Sequence, residues 1–258
     1  QNYLMTKTAR ATHANRGVEA AYRKALTAMI AEMHGSVVYW VTAGYRKTPP
    51  VLAQDATPSQ EMRKVLNDLA ERWKRKFEDA APYIAELYLR KMFNSSDNSL
   101  KQALKDAGWS VKFKMTPAVR DAFNASLAEN VGLIKSIPEK YLQQVEGIVM
   151  RAYSGGRNLK EMSEAIAELY PAAKDRATLI ARDQSNKANS VVNRTRQLEL
   201  GIKRAKWMHS HGGKEPRLDH LAADGKEYDI EKGCLISGEY IQPGEMINCR
   251  CTSRPILP

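Results

Sequence analysis

"LIARDQSNKANSVVNRTRQLELGIKRAKWMHSHGG", Leu179 to Gly213, changes character in its middle. Ala188, Val191, Thr195, Leu198 and Ile202 recur at spacings of three and four, the period of one helix face. After Gly201 that period is lost. "KRAKWMHSHGG" reads as a strand running into a turn. A long helix, roughly Asp175 to Leu200, therefore hands over to a different kind of structure. The chain is expected to be α+β, a mainly helical N-terminal body followed by a small β-rich C-terminal module.

The same helix carries a second, polar stripe of Arg182, Asn186, Asn189, Asn193 and Arg196. From Arg182 to Lys206 there are seven basic residues against two acidic ones. A solvated helix face accounts for the stripe, and so does a face that docks a polyanion or a protein. On the second account Arg182, Lys187, Arg194 and Arg196 are the candidate DNA contacts.

Downstream, "DGKEYDI" opens with an Asp-Gly turn signal and ends in strand-like residues. "GCLISGEYIQPGEMINCRCTSRPIL" is rich in Gly and Pro with short apolar runs, which completes a β-rich module over about 203–258. Upstream, helices dominate. Val18, Tyr22, Leu26, Met29, Ile30 and Met33 form one stripe, and Met62, Val65, Leu66, Leu69, Trp73 and Phe77 another. A Pro-rich loop is expected from Thr48 to Gln60, a cap at Ser59, a start or kink at Pro82 and a polar loop at "NSSDNS", Asn94 to Ser99. Alternation in "WSVKFKM", from Trp109, predicts a short strand. Thr116-Pro117 opens a helix, Ser136 and Glu139 stand at capping-box spacing for a second one, and Gly155-Gly156 stops it. Asn158 and Glu161 open a further helix that Pro171 is expected to end. The chain thus divides into a helical region 1–115, a helical part 116–202 and the β-rich part 203–258.

The 258 residues include 40 Lys plus Arg and 29 Asp plus Glu, a formal net charge of +11. A surplus of this size favours polyanionic partners, or is a solvated basic surface. No apolar run is long enough to span a bilayer, so no membrane partner is expected. The start lacks both an apolar leader and an initiator methionine, so the chain is expected to be processed or to continue upstream. Three cysteines, an odd number, argue against a disulfide framework and for a reducing compartment.

His209, His211 and His220 precede Cys234, Cys249 and Cys251. Imidazole and thiolate are zinc ligands, so His220, Cys249 and Cys251, with His209 or His211 as a fourth, form a candidate metal set. The alternative is that the cysteines are small buried residues in a tight β turn. A disulfide between Cys249 and Cys251 is geometrically poor, because residues two apart in an extended strand lie about 7 Å apart. Asp219 adjoins His220 in sequence, which offers the materials of acid–base chemistry without establishing a dyad. There is no G-x-S-x-G, Walker A, H-E-x-x-H or G-x-G-x-x-G motif, and no catalytic residue is assigned.

The order of these segments resembles the phage Mu F-like head morphogenesis family, the minor head proteins of tailed bacteriophages. The resemblance rests on Ala181, Arg182, Asp183 and Asn189 opening a helix. Next come Trp207, then Arg217, His220, Asp224 and Gly225, then Pro243, Glu245, Asn248, Cys249, Arg250 and Cys251. It covers about 116–258. Trp207, Asp224, Gly225, Asn248 and Arg250 are its structural motif residues. Some relatives carry a C-P-x-C pattern and a His-Pro pair suggestive of zinc. Here Arg217 and His220 stand at the two cysteine positions, and Met246-Ile247 replaces His-Pro. The resemblance implies a minor capsid protein acting by binding rather than catalysis. Its partners would be the portal, major capsid or scaffold protein, and packaged double-stranded DNA held non-specifically. It would lie inside the capsid near the portal, having assembled in the host cytoplasm. The alternative is a small metal- or histidine-dependent nuclease or toxin-like enzyme centred on His209, His211 and His220.

Overall fold

The computed structural model describes residues 7–50, 57–156, 158–213 and 215–258. Five helices come first: α1 Arg16–Lys47, α2 Thr57–Asp106, α3 Pro117–Ser154, α4 Leu159–Ala167 and α5 Leu169–Glu199. The rest follows as β1 Arg204–Met208, α6 Leu218–Ala222, β2 Glu227–Asp229, β3 Cys234–Ile236, β4 Glu239–Ile241 and β5 Thr252–Ile256. The fold is α+β, as the change of period at Gly201 predicts.

Two compact units form, and neither is continuous in sequence. One comprises Tyr22–Ala85 and Glu129–Ile180, the other Gln1–Ala21, Glu86–Ala128 and Ala181–Pro258. The units do not follow the chain-order segments 1–115, 116–202 and 203–258, because α1, α2, α3 and α5 each contribute to both.

The first of these units is wholly helical. Tyr22, Leu26, Ile30, Met33, Val37 and Val41 of α1 are buried at spacings of three and four. Leu66, Leu69, Trp73 and Phe77 of α2 and Ile134, Ile137, Tyr141, Val145 and Val149 of α3 supply further buried stripes. Burying a large apolar side chain contributes about 1.5–3 kcal/mol, so these stripes dominate the unit's stability. Two polar contacts sit among them. The Tyr22 hydroxyl donates to Asn130 Oδ1 at 2.9 Å, and His34 Nδ1 lies 2.6 Å from the Tyr141 hydroxyl while its ring stacks on Tyr170.

The second unit holds the sheet. Central β1 pairs antiparallel with β2 and with β5, Lys206 facing Glu227 and Arg254. A separate hairpin pairs β3 with β4 across Ser237-Gly238, whose φ values of 52° and 87° are those of a tight two-residue turn. The N-terminal segment lies along β5, with Ala9 N–H donating to Pro255 O at 3.1 Å and Leu257 N–H to Lys7 O at 2.8 Å. Trp207, wholly buried, sits in a cluster with Leu100, Leu104, Ile202, Ala205 and Ile230.

Several expectations are corrected. Helix α2 begins at Thr57 rather than at a Ser59 cap, and residues 51–56 of the expected loop lie outside the described residues, as do 1–6. It runs unbroken through Pro82 and through Asn94–Ser99. The latter stays helical because its polar side chains bond to α5 instead of to their own backbone: the Ser96 hydroxyl donates to Asn189 Oδ1 at 2.9 Å, and Asp97 accepts from Arg196. Trp109, Val111 and Phe113 are partly buried between exposed neighbours as in a strand, but Met115 is exposed and the segment pairs with no strand among the described residues. The Arg196 guanidinium bonds Lys114 O there at 2.7 Å and lies over the Phe113 ring. Helix α3 does not divide at Ser136, whose hydroxyl donates to Leu133 O within the helix and accepts from Arg176. Pro171 does not end a helix. It lies in the first turn of α5, where its missing N–H is no loss. The Thr116 and Asn158 caps hold: Val119 N–H donates to Thr116 Oγ1, and Asn158 and Glu161 bond reciprocally at 3.0 Å.

An exposed proline inside a helix leaves the carbonyl four residues back without its amide. Pro82→Ala is therefore expected to stabilise the protein, by up to about 3 kcal/mol, read as a higher urea midpoint. An unchanged or lower midpoint would show that the helix has accommodated the ring at no cost.

Candidate functional site

The C-terminal module brings His220, Cys249 and Cys251 together. His220 lies on α6, where Asp219 Oδ1 accepts the His220 N–H at 2.8 Å and Asp219 Oδ2 accepts the Ser237 hydroxyl at 3.0 Å. Asp219 is thereby committed to ordering the short helix and forms no dyad with the imidazole. Trp207 meets the His220 ring edge-on, with centroids 5.2 Å apart at 88°.

The two cysteines are set by a turn that α5 holds. Asn248, in the left-handed region at φ 61°, donates its N–H to Asp183 Oδ1 at 2.7 Å. Lys187 steadies the other Asp183 oxygen at 3.3 Å. The Ser190 hydroxyl donates to Pro243 O, and Arg217 Nη2 to Ile247 O at 3.0 Å. Gly244 is required where the two segments touch: a Cβ there would lie 3.1 Å from Ser190 Cβ and 3.2 Å from Asn186 O, at φ 82°. The backbone then runs extended into β5, and residues two apart face one way. Cys249 Sγ and Cys251 Sγ stand 3.5 Å and 3.7 Å from His220 Nδ1, and all three atoms lie within 4.8 Å of one another. The three residues are buried, and the cysteines are free thiols.

The thiols share a proton unequally. The hydrogen bond from Cys251 holds the Cys249 thiol down at about 5 against the opposing effect of burial, helped by the N–H groups of Cys251 and Gly244. Donating that hydrogen, together with burial, pushes Cys251 far up. His220 Nε2 is buried with no hydrogen-bond partner among the described residues.

These three side chains line a cleft of about 830 Å³ whose other walls include His209, Arg182, Arg217, Arg250 and Glu215. Burial, then the neighbouring charges of Arg182 and Arg16, pull the Arg250 guanidinium below its usual range. Arg182 and Arg250 have no carboxylate partner among the described residues, and Arg182 Nε is buried unbonded. His209 and His211 form a second group at this end of the module. Asp224 accepts the His209 N–H at 2.9 Å and faces His211 Nε2 at 3.2 Å. Those bonds, the His209 N–H first, hold the Asp224 carboxyl low, while burial and the nearby His211 lower His209. His209 and His211 do not join the thiol cluster, so the expected fourth ligand is not supplied by either.

Apart from Arg182, the polar stripe of α5 is not a free docking face. Arg196, 3% exposed, spends its charge on Asp97 at 2.7 Å and Glu199 at 3.1 Å. Arg194 donates to Ile230 O and Glu231 O, and Lys187 pairs with Asp183. Asn189 and Asn193 are buried. Of the four proposed DNA contacts, only Arg182 faces an open cleft. Sequence reasoning missed the Asp183–Asn248 and Ser190–Pro243 ties, since nothing in the local pattern pairs side chains more than fifty residues apart. The motif residues converge: Gly225, at φ 77°, donates its N–H to Trp207 O at 2.8 Å, Asp224 orders the His209 turn, and Asn248 and Arg250 flank Cys249.

Arg196→Ala leaves two carboxylates facing a buried gap. It is expected to lower the unfolding free energy by about 3 kcal/mol in urea titration, with DNA affinity of the folded protein unchanged. Weakened DNA binding at unaltered stability would return this arginine to the interface.

Residues 143–254 match the family described as phage Mu protein F like protein. An uncharacterized protein of Haemophilus influenzae is 34% identical over 148 residues, which is 57% of this chain and 32% of that relative. The chain thus spans about a third of the relative's length. No solved structure matches. The matched segment, less than half of the chain, contains α5, the whole cysteine–histidine cluster and most of the sheet, and it supports an assignment to the phage Mu protein F-like family.

Proposed function

We infer that the protein is a minor head protein of a tailed bacteriophage, acting in head morphogenesis by binding rather than by catalysis. The family match over 143–254 carries this reading. We place it inside the capsid at the portal vertex, with portal, major capsid or scaffold protein as partner and packaged double-stranded DNA as a non-specific contact. The net charge of +11 supports the DNA contact, because neutralising phosphates with basic side chains releases counterions without reading sequence. No described helix is long and apolar enough to cross a membrane.

The basic residues of α5 are largely consumed by the fold, so the DNA contact is assigned elsewhere. Arg72, Lys74 and Arg75 stand exposed on α2, within the helical unit. Arg72 lies over the face of Trp40, which is itself 43% exposed.

Co-expression with the portal and major capsid proteins of the same phage is expected to yield head particles that carry the protein through sedimentation. Particles that form without retaining it would remove the head-protein reading. Separately, DNA affinity should fall linearly with salt on logarithmic axes. Reversing Arg72, Lys74 and Arg75 to Glu should reduce that slope by about 2–3, close to one unit for each phosphate no longer neutralised. An unchanged slope would exclude this part of α2 from the DNA interface.

A further inference from the structure

We propose that His220 Nδ1, Cys249 Sγ and Cys251 Sγ bind one zinc-class divalent ion whose fourth position faces the arginine-lined cleft and takes a ligand from solution. A tetrahedral zinc has bonds of about 2.3 Å to sulfur and about 2.0–2.1 Å to imidazole nitrogen, which separates a sulfur from a nitrogen ligand by about 3.5 Å. The two sulfur–nitrogen distances here are 3.5 Å and 3.7 Å, and the third edge is within 4.8 Å. The three atoms already outline one face of the coordination polyhedron.

Hydrogen bonding alone accounts poorly for this convergence. Both sulfurs approach one ring nitrogen, which has either one lone pair to accept with or one hydrogen to donate, so it can bond well to only one of them. A metal ion satisfies all three donors at once. The donors are also held from outside the cluster, as metal ligands need to be. Asp219 orders the helix that carries His220, and Asp183 fixes the turn before Cys249. These supports sit on different elements, α6 and α5, and converge on the same site.

The fourth position distinguishes two kinds of zinc. A structural site closes with four protein ligands, whereas three protein ligands leave a place for water or another small ligand. No fourth His, Cys, Asp or Glu joins the cluster among the described residues. All three ligands instead line the cleft that also holds Arg182 and Arg250, both without carboxylate partners there. Glu215 is the one carboxylate in that wall among the described residues. The chemistry of the open position therefore favours a small oxyanion over a cation or an apolar group.

The test uses the full chain, loaded with zinc or cobalt(II) and exchanged into metal-free buffer. We expect about one ion per chain by mass spectrometry, retained in Cys234→Ser and lost in Cys249→Ser and Cys251→Ser. Cobalt should show thiolate-to-metal charge transfer and the intense ligand-field bands of four-coordination, and inorganic phosphate should shift those bands. Because the serine variants could misfold, the wild-type protein carries an independent readout. Bound metal should protect Cys249 and Cys251 from alkylation, and a chelator should expose them while helicity is kept. A folded wild-type chain that retains no metal, or binds cobalt without thiolate charge transfer, would overturn the site. Bound cobalt whose spectrum ignores phosphate would overturn the open position.

Discussion

Helix α5 has a buried face that is polar, and the C-terminal module depends on how that face is satisfied. Buried polar groups cost free energy unless they find partners, and an isolated buried charge costs several kcal/mol. Arg196 answers Asp97 and Glu199, Asn189 answers Ser96, and Asp183 takes the backbone of Asn248. Each bond ties α5 to a different part of the same unit: α2, the extended segment at Lys114, or the turn before β5. An apolar face would have held these elements together with less discrimination. Directional bonds fix their register, and the register of the last turn decides where the two cysteine sulfurs point.

That dependence explains which parts were legible in the sequence. The apolar stripes of α1, α2 and α3 were, because burial at a spacing of three and four is a local signal. The switch to strand after Gly201 was legible for the same reason. The stretch Asn94–Ser99 was not: its residues favour loops when considered alone, and only the facing polar residues of α5 make helix the better outcome. Pro82 likewise passes inside a helix whose buried residues on both sides outweigh one lost backbone bond. The alternation from Trp109 foretold partial burial at Trp109, Val111 and Phe113 but not at exposed Met115, and it foretold pairing wrongly, since alternation says nothing of a neighbouring strand.

The site shows the same division. Residue types named His220, Cys249 and Cys251, and the fold joins them. The stripe of arginines and asparagines looked like an interface because charge composition cannot distinguish a guanidinium in solvent from one locked between two carboxylates. Asp183 was visible as part of a family pattern, but its role in holding Asn248 exists only once α5 and the last turn lie side by side. The family match and the site geometry thus answer different questions. The first supports the proposed head-protein reading, and the second describes what this corner of the fold can hold.

The pairing of the N-terminal segment with β5 has a consequence for how the chain is made. Lys7 and Ala9 bond to Leu257 and Pro255, so partners some 246 positions apart must meet before this edge exists. Such contacts are the slowest to form, because the whole intervening loop must close first. The helical unit, by contrast, has all its residues between Tyr22 and Ile180 and is complete as soon as those have left the ribosome. Synthesis therefore imposes an order: the helical unit can settle first, while the N-terminal segment waits unpaired for the last strand. During that interval the uncovered edge is open to a strand from another chain, which makes it the point where premature self-association would begin.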